Sequence, residues 1–291
     1  MINLAKKKSD ETIRDSRVVD IFEHPINEGI FDNLSNSDYH AIDGISSTQF
    51  KDMELSIAIF QNRHIFRYDC EAFKTGNLIH TALLEPHLLD EFIECSSATL
   101  NTIEAKKTIE NNPDKIVVPF GGIEIAKEIA KKVMLIYGKY ILNSKKETSV
   151  IYYNENTKLL HKCRPDIWLD SLGIVLDLKS SKETDHAGFE GTIEKYNYHV
   201  SAAWYMDTIN ETIKKLKLNI PLVTQFGWIV APKSAPHKPF AFICSAELIE
   251  KGREKYQKLL EKYISVRDGG KDELFKEAHS WSFKKSFNEE N

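Results

Sequence analysis

Lys162-Cys163-Arg164-Pro165-Asp166-Ile167-Trp168-Leu169-Asp170-Ser171-Leu172-Gly173-Ile174-Val175-Leu176-Asp177-Leu178-Lys179 is the stretch that decides the reading of this chain. Two runs of β-branched, aromatic and aliphatic residues flank Asp170-Ser171-Leu172-Gly173. Asp at the first position and Gly at the fourth suit a type I turn. A hairpin turning on Ser171-Leu172 pairs residue 170 with 173 and so sets Asp166 opposite Asp177, with Cβ atoms about 4.5–5.5 Å apart. Side chains alternate along a strand, which puts Lys179 on the same face as Asp177. Asp and Lys two apart on a strand are often just a solvated face. Here they lie amid Ile167, Trp168, Ile174, Val175, Leu176 and Leu178, where uncompensated charge is costly. A divalent cation relieves two opposed carboxylates, and hard oxygen ligands suit magnesium, which keeps waters that can attack a substrate. Lys179 beside it can polarise or deprotonate such a water, or stabilise charge on a phosphate.

Working outward, strands are predicted over Thr148–Tyr153, Lys158–Leu169 and Gly173–Lys179, forming a three-stranded antiparallel meander. A helical region over Phe189–Leu216 follows, then a strand pair, Leu222–Ala231 and Pro239–Ser245, and a last helix over Ala246–Val266 capped by Ser245. Upstream, Ser46 caps a helix running to about Asn62, with Gln49 reaching back. A second helix covers Ala72–Leu84 and stops at Glu85-Pro86. Residues 87–118 show no clear pattern, and Ile123–Tyr140 carries apolar residues at helical spacing. The fold class is α/β of the mixed α+β kind, a central mixed sheet containing the meander and flanked by helices. One domain, 29–266, is expected between a flexible arm, 1–28, and a polar tail, 267–291. The Lys6-Lys7-Lys8 run in the arm reads as a solvated tail.

The chain has 291 residues, 42% hydrophobic and 28% charged, which is ordinary globular composition. No apolar run is long enough to span a bilayer, and the first residues lack a signal-peptide core, so a cytoplasmic protein with no membrane partner is expected. Cys70, Cys95, Cys163 and Cys244 are scattered without a CxxC pair, which points to reduced, buried thiols rather than a zinc site. The net charge of −4 argues against a general nucleic-acid coat but not against a local basic groove, for which Lys162, Arg164 and Lys182 are candidates. No GxxxxGK[ST], GxSxG or HExxH motif is present.

Taken together, several pieces resemble the RecB-like branch of the PD-(D/E)xK nucleases, and within it the RecE-type exonucleases (exonuclease VIII) and their phage relatives. They are Asp38-Tyr39-His40, Ile45-Ser46-Ser47, Gly76-Asn77-Leu78-Ile79-His80, Leu84-Glu85-Pro86, Glu147-Thr148-Ser149, Lys162 to Asp166, Asp177-Leu178-Lys179-Ser180 and Tyr198 to Tyr205. The resemblance spans roughly residues 38 to 263. It implies a restriction-endonuclease-like PD-(D/E)xK core. It also implies a magnesium-dependent exonuclease (manganese substituting) that degrades double-stranded DNA ends 5′ to 3′ in phage-type recombination. A ring-like homo-oligomer, a single-strand annealing protein as partner, and a bacterial or phage-encoded source are implied as well. Alternatives are an endonuclease using the same site and a catalytically weak DNA-binding module that kept the fold.

By the same resemblance, Asp166, Asp177 and His80 are metal ligands and Lys179 is the catalytic lysine. Without it, His80 reads as a satisfied core histidine. Glu147 matches an acidic position on the first strand, holding a second cation or a metal-bound water, or else standing as a rim charge. Arg164, Ser180, Tyr198, Ser201 and Tyr205 fall at substrate-binding positions, although Arg164 has the alternative of pinning the hairpin and the tyrosines that of packing. Ser201 stands where the family carries Gln in a YxxQxxxY motif, and its hydroxyl reaches less far. The early helix reads Leu55-Ser56-Ile57-Ala58 where the family has Ser-Pro.

Overall fold

The computed structural model describes residues 28–63 and 71–270. The lysine run, Cys70, most of the expected arm and the end of the tail lie outside the described residues. In chain order the elements begin with β1 (Gly29–Phe31), α1 (Asn36–Ala41), α2 (Phe50–Leu55), α3 (Ile57–Gln61), α4 (Glu71–Leu84), β2 (Phe92–Glu94), α5 (Ile103–Asn111) and β3 (Ile116–Val118). The middle of the chain supplies α6 (Gly122–Leu142), β4 (Lys145–Lys146), β5 (Ser149–Asn154), β6 (Leu159–Cys163), β7 (Ile167–Leu169) and β8 (Ile174–Ser181). It ends with α7 (His186–Lys195), α8 (Tyr198–Lys215), β9 (Gln225–Pro232), β10 (Phe240–Ile243) and α9 (Ala246–Arg267).

The central sheet has the order β10-β9-β8-β7-β4. Its β8–β9 pair is parallel and the other neighbours are antiparallel. The parallel pair is joined by a crossover through α7 and α8, as a parallel connection requires. Alternation sorts the two faces. Trp168, Val175, Phe226, Trp228 and Val230 enter a core shared with Phe50, Trp204 and Tyr256, on α2, α8 and α9. Ile167, Leu169, Leu176, Leu178, Ile229 and Ala231 pack with Leu78 and Ile79 on α4 and Ile129 and Val133 on α6.

The β7–β8 register has Ile167 opposite Leu176 and Leu169 opposite Ile174, as the hairpin reading requires. Its loop is longer than a two-residue turn, spanning Asp170 to Gly173. A 3₁₀ turn over Asp170–Leu172 ends at Gly173, whose φ of 65° is left-handed and whose Cβ position lies 2.2 Å from the Leu222 carbonyl oxygen. Only glycine fits there.

Two expectations are corrected and one is refined. The single strand over Lys158–Leu169 is two strands in different sheets, β6 beside β5 and β7 beside β8. The break falls at Arg164–Asp166, where Pro165 has no N–H to give a ladder. The meander is therefore split. The helix from Ser46 breaks at Ser56, whose φ of −174° is extended and whose hydroxyl accepts from the Ile59 N–H to start α3. Gln49 does reach back, its side chain accepting from the Ser46 N–H at 2.9 Å. The region over Phe189–Leu216 is two helices, parted where Asn197 adopts φ 58°.

Helix α9 crosses α8 so closely at Gly252 that a Cβ there would lie 2.1 Å from the His199 carbonyl oxygen. Alanine normally favours a helix interior over glycine by roughly 0.5–1 kcal/mol. Here the backbone collision wins, and Gly252→Ala is expected to lower the unfolding free energy by about 3 kcal/mol, read from the denaturant midpoint.

Candidate active site

Asp166 directly precedes β7, and continuing the β7–β8 register sets it beside Asp177 on β8. Both are nearly buried, 8% and 5% exposed. Asp166 Oδ2 accepts a hydrogen bond from the Leu178 N–H at 2.6 Å. Burial, then the neighbouring Asp177 charge, push the Asp166 carboxyl up to about 6. Lys179, on the same face two residues on, forms an ion pair with Asp177 Oδ2. Burial works against the Lys179 charge, but Asp177 and Asp166 outweigh it and hold the ammonium above its ordinary value. Its Nζ also sits 5.0 Å from the ring centre of Tyr198, the first residue of α8.

Glu147 lies between β4 and β5 with a left-handed φ of 48°, uncommon for a residue with a side chain. Its N–H donates to the Asp166 carbonyl at 3.3 Å, stapling the two backbones together. Its carboxylate accepts from Arg164 Nε at 3.1 Å. Burial first, then the Asp166 charge, push Glu147 up to about 8 in spite of that guanidinium. Arg164 is held in turn by the Leu34 carbonyl at 3.0 Å and lies 5.7 Å from the centre of the Tyr39 ring.

His80 comes from α4. Its Nε2 is 2.8 Å from the Leu178 carbonyl oxygen. A carbonyl only accepts, so Nε2 carries the proton. In the neutral ring that leaves the Nδ1 lone pair facing the acids, 3.5 Å from Asp166 Oδ2. Among the described residues, one ligand atom each from His80, Glu147 and Asp166 lie within 4.8 Å of one another. A half-buried imidazole fixed by a backbone carbonyl, and two desolvated carboxyls facing it, fit a divalent cation. The expected trio of His80, Asp166 and Asp177 is thus drawn differently. Glu147 converges with the other two, while Asp177 turns its Oδ2 to Lys179.

His80, Glu147, Arg164, Lys179 and Tyr198 line a cleft of about 1730 Å³, with the buried Asp166 and Asp177 just behind its wall. Helix α4 lines it with Phe73, Gly76, Asn77, His80, Thr81 and Leu84, one stripe at helical spacing. The wall includes six Lys or Arg and four Asp or Glu, so the local balance is positive where the whole chain is negative. Ser180, Tyr198, Arg164 and Lys182 line the cleft. Ser201 and Tyr205 do not. Tyr205 packs from behind, edge-on to Phe226 with ring centres 6.2 Å apart, and burial holds its phenol well above the usual range. Lys162 is no groove cation: its Nζ donates to the Tyr39 and Ile42 carbonyls at 2.9 and 2.6 Å, closing the end of α1. Burial pushes its ammonium down to about 8. Phe73, Lys51 and Lys233 belong to the cleft without being foreseen. Phe73 stands one heptad before His80, and that spacing was its only signal. Cys95, Cys163 and Cys244 are free and buried, and no helix among the described residues is long and apolar enough to cross a membrane.

The family model described as "PDDEXK-like domain of unknown function (DUF3799)" matches residues 46–273. In fold, the chain is similar to a protein from Eubacterium rectale whose crystal structure bears the name "Putative exonuclease". The TM-score is 0.55 at 14% identity, covering 81% of this chain and 87% of that one. No curated protein matches the chain. The mixed sheet flanked by helices, with its acids and lysine at the β7–β8 pair, is the restriction-endonuclease-like arrangement. The chain belongs to the family of PDDEXK-like domains of unknown function.

Proposed function

We propose that this protein is a magnesium-dependent deoxyribonuclease that hydrolyses phosphodiester bonds at double-stranded DNA ends. The observation that carries the reading is the convergence of His80 Nδ1, Glu147 and Asp166, next to the Asp177–Lys179 pair, in a locally basic cleft. Two carboxylates and one imidazole would hold the ion; the carboxylates suit magnesium or manganese, and the imidazole tilts the set toward manganese, which stands above magnesium in affinity for nitrogen ligands. When bound, the ion supplies Lewis-acid polarisation of a phosphoryl oxygen and a water acidic enough to attack near neutral pH.

The chain's own residues do the rest. Asp177 holds Lys179 in place, and Tyr198 supports the ammonium with its ring face. In the metal-free chain the carboxylates hold Lys179 protonated, which favours a role in stabilising charge on the attacked phosphate over one in taking a proton. Arg164 positions Glu147 and touches no substrate in this reading. The exonuclease choice draws support from the fold neighbour's name. The resemblance to RecE-type enzymes extends it to 5′-to-3′ resection in phage-type recombination, with an oligomeric ring and an annealing partner in the cytoplasm.

Linear and covalently closed duplex, each with and without magnesium, test the proposal. Loss of the linear form only, and only with the ion, is expected. Cutting of closed circles contradicts the exonuclease reading, and equal degradation with a chelator contradicts the metal.

Binding should also depend on pH. Glu147 and Asp166 keep protons up to about 8 and about 6, and a cation must displace them. Apparent affinity for manganese should therefore rise between pH 6 and pH 8. Calorimetry in two buffers of different ionisation enthalpy should show about one proton or more released at pH 6, and a flat profile would contradict the assignment.

A further inference from the structure

Phe73 is 61% exposed, although it sits on the cleft-facing stripe of α4. Seven residues separate it from His80, so the two share a face, about 10 Å apart along the helix at ~1.5 Å per residue. Phe73 thus offers a large aromatic face to water inside the cleft, and a partner that covered it would remove much of that face from solvent. The other exposed aromatic on the same wall, Tyr196, differs. Lys195 lies 5.5 Å from its ring centre and the Tyr198 ring lies tilted against it at 5.6 Å, so its surroundings are already taken. Among the described residues, no aromatic ring or cation sits against the Phe73 ring.

We infer that Phe73 is a stacking platform for an unpaired nucleobase of the strand whose phosphate lies at the His80–Glu147–Asp166 cluster. The inference rests on the nuclease reading and deepens it by naming the substrate state: terminal nucleotides that have left the duplex. Every base offers a π-face, so a lone phenyl ring binds without sequence preference. The occupant is an anionic strand rather than a protein, because Lys51, Lys182 and Lys233 line the same cleft. A separation of ~10 Å corresponds to about three stacked steps at ~3.4 Å each. Inside a duplex the base at that distance presents only its edge. To lay its face on Phe73 it must be unpaired.

The test uses the full chain with calcium in place of magnesium, so that DNA binds without being cut, and duplexes carrying 2-aminopurine at successive positions from one end. Wild type should quench the probe at one or two adjacent positions a few nucleotides from the end. Phe73→Ala should lose that quenching and bind a frayed end about 5- to 100-fold more weakly. Phe73→Trp should restore both. Leu135→Ala, at an 84% exposed residue on α6 outside the cleft, should change neither. Manganese affinity without DNA, read by calorimetry, should be the same in wild type and Phe73→Ala. Unchanged quenching in Phe73→Ala overturns the platform while leaving the nuclease intact. So does a change of oligomeric state in that variant without loss of quenching, which would make the ring a contact between copies. Absence of any divalent-dependent phosphodiester cleavage by wild type overturns both.

Discussion

Asp166→Ala is expected to lower divalent-dependent DNA cleavage by about 10³-fold or more, since metal-ion stabilisation of the transition state contributes several kcal/mol at about 1.36 kcal/mol per tenfold. The size follows from position. Asp166 faces His80, its backbone is stapled to Glu147, and its charge adjoins Asp177. Asp166→Asn should be equally inactive, and it separates function from folding. An amide oxygen can still accept from the Leu178 N–H, while the buried charge is gone. The sign of the stability effect follows from linkage. The folded protein holds the Asp166 proton up to about 6, well above the ordinary aspartate range, so this group favours folding at low pH. That contribution fades as pH rises from about 4 to about 6, and above it the ionised carboxylate is a net burden on the metal-free fold. Metal-free Asp166→Asn should therefore melt higher than metal-free wild type at pH 8, with the difference shrinking toward pH 4. Metal should stabilise wild type and leave the variant unmoved.

Lys179→Met should cost about 10²–10³-fold in kcat while leaving manganese affinity within a few-fold. Methionine keeps the stem's volume and its packing on Tyr198 but removes the ammonium, which lies outside the His80–Glu147–Asp166 cluster. If Lys179 instead takes a proton from water, Lys179→Arg should be as inactive as Met. If it stabilises charge, Arg should recover part of the rate. Losing the ammonium leaves Asp177 buried without its partner, so both variants need a melting curve alongside the kinetics.

The hairpin at Asp166 and Asp177 was legible because a short loop fixes register, and register fixes which side chains meet. The Asp170–Gly173 signal was local and sufficient. Glu147 was legible only through resemblance. Nothing in residues 145–149 announces that a left-handed φ turns the carboxylate inward, or that Arg164, seventeen positions on, will hold it. The Asp38-Tyr39-His40 motif gave no hint of its work either. Tyr39 and the end of α1 hold Arg164 and Lys162, bracing the site, while Asn36, Ser37 and His40 of the same helix line the cleft. The strand break at Pro165 was written in the sequence and passed over, because flanking β-rich residues hid a missing N–H. Helix α5 and the short β2–β3 pair, within residues 92–118, carry too few periodic apolar positions to be read without their tertiary partners.

Crystals soaked in manganese, read for anomalous scattering at the metal edge, test the central claim most directly. The account predicts a peak within about 2–2.5 Å of His80 Nδ1 and of carboxylate oxygens of Glu147 and Asp166, absent in Asp166→Ala. Saturating manganese that leaves this cluster without a peak, or binds only away from it, would contradict the account.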